Sequence, residues 1–211
     1  MESDAADFLQ GLAEIGIAPE RVRAVLLTHW HNDHAAGAAH LKRTFGVPVY
    51  YHKGDQDFLT RKTASAGIRG WVGRHIPEQG LLVLLRGLLE EASPEAVAAD
   101  HLVLDTEILE GSFRVIATPG HTPGHAAYIH EASRTLFCGD ALAVVDSRLR
   151  MMAKLVTPDV EAARISALRC LREQPRFICP GHRGPLTVNV TQECQRLRAY
   201  LEAGGRWPLL G

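Results

Sequence analysis

Eleven of the 211 residues are histidines, and several stand in tight clusters beside Asp and Gly. The densest run is Thr28-His29-Trp30-His31-Asn32-Asp33-His34. Imidazole nitrogen and carboxylate oxygen suit Zn(II), Mn(II), Fe(II) or Co(II) better than Ca or Mg. His29 and His31 are two apart, so in extended backbone both side chains point the same way. Asp33 and His34 follow once the chain turns and can aim at a second ion nearby. Three further ligand-type residues lie downstream: His121 in Pro119-Gly120-His121-Thr122-Pro123-Gly124-His125, Asp140 in Cys138-Gly139-Asp140, and His182 in Pro180-Gly181-His182. Burying so many unpaired imidazoles and carboxylates together would be costly without a cation. No cysteine joins the clusters, which excludes a tetrathiolate site.

The elements around these residues repeat one grammar. A short apolar strand ends, and a His or Asp follows beside Gly. Strands are expected over 23–28, 47–51, 113–118, 126–130, 134–138 and 176–179. Strand ends that converge on one edge are where open α/β sheets place their sites. Helices are expected over 5–15, from Asn32 as cap through Leu41, over 159–173 behind Thr157-Pro158, and over 188–203. The stretch 54–100 differs in texture and reads as a helical insertion: a turn or two at 55–62, a Gly-rich irregular part, an apolar helix at 81–91, and a Ser93-Pro94-Glu95 cap. No linker or repeat marks a second domain, so residues 1–211 read as one.

Composition narrows the classes. With 46% hydrophobic and 22% charged residues, the chain is expected to fold, not to remain disordered. A net charge of −1 offers no excess to displace phosphate counterions, so no nucleic-acid partner is expected. No apolar run reaches the ~18–20 residues of a membrane helix. The start Met1-Glu2-Ser3-Asp4 lacks a signal peptide's basic and apolar regions, which makes the cytoplasm the expected address. Cys138, Cys170, Cys179 and Cys194 read as small reduced hydrophobes.

The four motif runs, in this order, resemble the metallo-β-lactamase superfamily over roughly residues 12–185. The resemblance implies an α/β (α+β) fold, the αββα sandwich, with metals at one edge between two sheets. It implies a first metal on His29, His31 and His121, a second on Asp33, His34 and His182, and Asp140 bridging them. His125 is implied to pack or to hydrogen-bond behind the ligands. Two departures stand out. The family's Gly-Gly after the first motif is replaced by Ala35-Ala36-Gly37-Ala38, and only about one helix precedes Arg23 where the family has opening strands and an Asp-x-Gly turn. The first sheet is therefore expected to be shortened, by truncation or as a reduced member. Its exposed edge would be a pairing liability, so a homo-oligomer or a rearranged segment is expected to cover it.

The activity implied is hydrolysis by a binuclear centre holding two divalent ions, Zn2+ first, with Mn2+ or Fe2+ as options. Ions about 3.5–4 Å apart would share a hydroxide that attacks a small ester, thioester or lactone, and Asp33 could take a proton as a catalytic residue. The alternatives are a persulfide-oxidising relative with a single iron and a non-catalytic truncated relative.

Overall fold

The computed structural model describes residues 5–61 and 94–209. A helix α1 (Ala6–Glu14) is followed by a short strand β1 (Val25–Leu26). The histidine run then forms the single turn α2 (Asn32–Ala35), and α3 (Ala38–Phe45) leads to β2 (Val49–His52). A 3-10 turn (Lys53–Asp55) opens α4 (Gln56–Thr60). After residue 94 come β3 (His101–Val103), β4 (Ile108–Leu109), β5 (Phe113–Ala117), β6 (Ala126–His130) and β7 (Thr135–Gly139). A hairpin of β8 (Ala143–Val145) and β9 (Arg148–Arg150) precedes α5 (Val160–Arg172), β10 (Phe177–Pro180) and α6 (Val190–Glu202).

The strands make two main sheets. β1, β2 and β3 run parallel in that order, and the second sheet has the order β10-β7-β6-β5-β4. Within it β4 to β7 are antiparallel and β10 joins β7 in parallel. Period-two alternation gives each central strand two apolar faces. Leu26, Tyr50, Val115, Ala126 and Tyr128 meet between the sheets. On the other side of the first sheet, Val49 and Tyr51 pack with Ala35, Ala38 and Ala39. On the other side of the second, Ile116, Ala127 and Ile129 pack with Ala167, Cys170 and Leu197 of the last two helices. That is the layering α, β, β, α. Two bonds stitch the sheets directly beside the histidine run: Ala126 N–H to the Thr28 carbonyl at 2.8 Å, and Tyr128 O–H to the Leu27 carbonyl at 2.7 Å.

Ile129 is fully buried in the larger core. Truncation to Ala there leaves a cavity that rigid neighbours cannot fill, and it is expected to cost about 3 kcal/mol. A urea melt checks this: the midpoint should fall with an unchanged slope.

Several local expectations are corrected. Asn32 does not cap its helix: it is the first helical residue, and His31 holds the cap position without a side-chain bond. The cap of α5 is Asp159, whose Oδ1 accepts from Ala162 N–H at 2.9 Å, while Thr157 Oγ1 bonds the Ala153 carbonyl. Pro94 and Glu95 belong to no helix. The Gly-rich part, the apolar stretch 81–91 and Ser93 lie outside the described residues. Three cysteines are buried and Cys179 half-buried, all as free thiols.

Among the described residues no strand pairs with the outer edge of β1. A groove of about 730 Å³ follows that edge, walled by Phe8 of α1 and Leu41 of α3, and reaches Asp33 and His34. Among them also, no helix is long and apolar enough to cross a membrane.

Candidate metal centre

Five of the seven proposed ligands follow the end of a strand within five residues. β1 delivers His29 and His31, β5 delivers His121, β7 delivers Asp140 and β10 delivers His182. The turn α2 follows His31 at once, which swings Asp33 and His34 to the neighbouring position. All seven residues therefore arrive at one edge of the sandwich.

Their donor atoms converge in two groups. His29 Nε2 lies 3.1 Å from His31 Nδ1, and His121 Nε2 lies 2.9 Å from the same nitrogen. In the second group His34 Nε2 and His182 Nε2 are 3.2 Å apart, with Asp33 Oδ2 3.6 Å from the former and 3.2 Å from the latter. Asp140 spans both: Oδ2 is 3.4 Å from His121 Nε2 and 3.5 Å from His182 Nε2, and Oδ1 is 3.4 Å from His34 Nε2. Tetrahedral zinc with bonds of ~2.0–2.1 Å holds its ligand nitrogens about 3.3 Å apart, so the observed spacings are those of donors around an ion. The buried Asp140 Oδ1 has no hydrogen-bond partner, a deficit that a cation would relieve. Two facing triads and an orphaned carboxylate oxygen fit a pair of divalent ions.

Neighbouring groups orient two of the rings. Thr28 Oγ1 sits 3.1 Å from His29 Nδ1, which leaves Nε2 pointing into the cluster. His125 is buried, and its Nε2 accepts from Asp140 N–H at 3.0 Å. Its proton therefore sits on Nδ1 and is donated to Thr118 Oγ1 at 2.7 Å. With both nitrogens occupied, His125 holds the Asp140 backbone in place instead of binding an ion. Trp30 stacks on Phe58, rings 4.8 Å apart and 11° from parallel, and meets the His31 ring edge-on at 4.5 Å.

Burial keeps the first group neutral and ready to donate lone pairs. It pushes His29 far below the usual imidazole range and His31 to about 4, with repulsion from neighbouring histidines adding to the effect. His34 and His121 are lowered by the same burial. The Asp140 carboxyl would be raised by burial, but His182, His34 and His121 outweigh this and hold it well below the usual range. His182 is pushed up to about 10 by hydrogen bonds to Asp140 and Asp33. Asp33 and His182 are also the exposed members, at 39% and 45% of their side chains, so the second group forms the mouth of the site.

Gly181 shows how tightly this mouth is built. A Cβ placed there would overlap His34 Cε1 and stand 2.5 Å from Asp140 Oδ1.

Sequence reasoning gave Asp55 no role, yet it is fully buried against these loops. A signal was present, because Gly54-Asp55, one residue past β2, obeys the grammar of strand end, Gly and acid seen at Asp140. His52, Tyr50 and His101, by contrast, bond to groups outside the cluster: His52 Nδ1 accepts from Gly54 N–H, Tyr50 O–H donates to Glu110, and His101 pairs with Glu107.

A sandwich of this layering with His and Asp donors at one edge defines a known class. The chain matches the family model of the metallo-beta-lactamase superfamily over residues 1–182, and it belongs to that superfamily. Among curated relatives, the probable metallo-hydrolase YflN of Bacillus subtilis (strain 168) is 29% identical over 185 residues, covering 79% of this chain and 66% of YflN. The chain thus spans just under two thirds of that relative's length. A hydroxyacylglutathione hydrolase of Pectobacterium carotovorum subsp. carotovorum (strain PC1) is 32% identical over 140 residues, 66% of this chain and 39% of that protein. The solved structure of TTHA1623 in a di-iron-bound form superposes with a TM-score of 0.63 at 25% identity, covering 89% of this chain and 82% of the other.

Proposed function

We propose that this chain is a binuclear metal-dependent hydrolase of a small ester, thioester or lactone. The observation that carries this reading is the pair of donor triads joined by one carboxylate, Asp140. His29, His31 and His121 would hold one ion, and Asp33, His34 and His182 the other. Bound divalent ions at such a centre lower the pKa of water toward roughly 7 and polarise a substrate carbonyl. The protein's own groups do the rest. His125 and Thr28 fix the orientation of their neighbours, and Asp33, ionised at the exposed mouth, is placed to accept a proton from the attacking water. A substrate approaching from solvent meets Asp33 and His182 first. The similarity to hydroxyacylglutathione hydrolases, named for a thioester substrate, favours a thioester within the class. Zinc is the first choice of metal on the nitrogen and oxygen donors. The likeness to a di-iron structure makes iron the second.

The test is a panel of aryl esters, lactones and S-acyl glutathione thioesters assayed with metal-loaded protein. Turnover of at least one class is expected, to be lost with a chelator and regained with Zn2+. A protein holding both ions and turning over none of the panel would overturn the hydrolase reading. A single iron per chain with persulfide oxidation would replace it with the oxidoreductase reading.

A further inference from the structure

Asp55 is fully buried, and among the described residues no Lys or Arg pairs with it. Its carboxylate instead takes three hydrogen bonds from two separate loops. Oδ2 accepts from Trp30 N–H at 3.0 Å and from Thr122 Oγ1 at 2.8 Å, and Oδ1 accepts from Gly124 N–H at 2.7 Å. Trp30 lies between His29 and His31. Thr122 follows His121, and Gly124 precedes His125. One side chain thus ties the peptide carrying two histidines of the first group to both ends of the turn carrying the third.

The fit is close on every side. A Cβ on Gly124 would stand 2.7 Å from Asp55 Oδ1, and one on Gly54 would stand 2.8 Å from the Pro123 carbonyl. A carboxylate buried this way is costly unless its acceptors are satisfied and a positive charge is near. Backbone and hydroxyl donors satisfy the acceptors here. The charge partner is the cation that the adjacent histidines would hold.

We propose that Asp55 is the positioning residue of the His29–His31–His121 cluster, setting the spacing of the two ligand loops and supplying a buried negative charge beside the ion they bind. This rests on the metal-binding reading above. Asn at position 55 keeps the shape but must turn an amide N–H2 toward at least one backbone N–H, so one loop loses its anchor.

Metal-free protein titrated with Co2+ and followed by visible absorption tests the assignment. Wild type should take up two equivalents. D55N should bind one of them about 10–100-fold more weakly, with an altered spectrum, while the other equivalent is kept. T122S, which keeps the hydroxyl, and I129A, which lowers stability far from the loops, should both titrate like wild type. Should D55N fail to fold, T122V decides the matter: it deletes one of the three bonds and should weaken one equivalent severalfold. Wild-type affinity and spectrum in D55N, or in T122V where that variant decides, overturn the proposal while leaving the metal site intact. Equal weakening in I129A reduces the effect to general stability and overturns it too. A wild type that binds no Co2+ overturns the metal reading and this proposal together.

Discussion

A His121→Ala variant is expected to lose one of two bound ions and to hydrolyse at least about a thousandfold more slowly. His121 is buried, and its Nε2 is one of three nitrogens in the first group. Without it, two imidazoles remain, fewer than the three protein ligands usual for a catalytic zinc. The same nitrogen faces Asp140 Oδ2 at 3.4 Å, so its loss also frees the carboxylate shared with the second group. Removing a single preorganised stabiliser of developing charge commonly costs about 10²–10³-fold, and a metal's contribution is larger than that of one hydrogen bond. Elemental analysis and kcat/KM on the same preparation check both parts. Undiminished activity with one ion gone would remove this cluster from the chemistry.

A Gly181→Ala variant should disable the second group although it alters no ligand. The added methyl needs the space held by His34 Cε1 and crowds Asp140 Oδ1. Neither neighbour can yield cheaply. His34 is held by contacts to Asp33, Asp140 and His182, and the Asp140 backbone is fixed by His125. The methyl must therefore displace the donors of the second ion. Binding of that ion is expected to weaken about 100-fold, with activity falling in parallel, while the first ion stays. Isothermal titration with Zn2+ should show one unchanged and one weakened event. Two wild-type events would mean that the mouth is looser than its packing indicates.

Much of the fold was legible because periodicity and packing agree. The strands β5, β6, β7 and β10 and the helices α5 and α6 have apolar residues at the spacing their burial requires, and the structure forms them close to the expected bounds. The clustering of the candidate donors was legible for a related reason: Asp140 follows its strand directly and His29, His121 and His182 come two to four residues past theirs, so strand convergence brings the side chains together. Most of what was missed lacked a local signature, Asp55 with its Gly-acid step after β2 being the exception. The β8–β9 hairpin turns through Asp146-Ser147, both with positive φ, at 50° and 58°. Asn-Gly or Asp-Gly commonly marks such a turn, and Asp-Ser does not announce it. β3 and β4 are three and two residues long, too short for alternation to show. Asp55 was passed over because its function depends on backbone N–H groups of residues 30 and 124, partners that no side-chain pattern reveals. The caps at Asn32 and Thr157 were misplaced by one and two residues, where a neighbouring polar residue offered an equally good signal.

The most direct test of the central claim is anomalous scattering from crystals of the purified protein, collected at the absorption edge of each candidate metal. The account predicts two peaks per chain, one enclosed by His29, His31 and His121 and one by Asp33, His34 and His182, with the Asp140 carboxylate between them. A metal-supplemented crystal with no peak at this edge of the sandwich, or with ions bound only elsewhere, would contradict it.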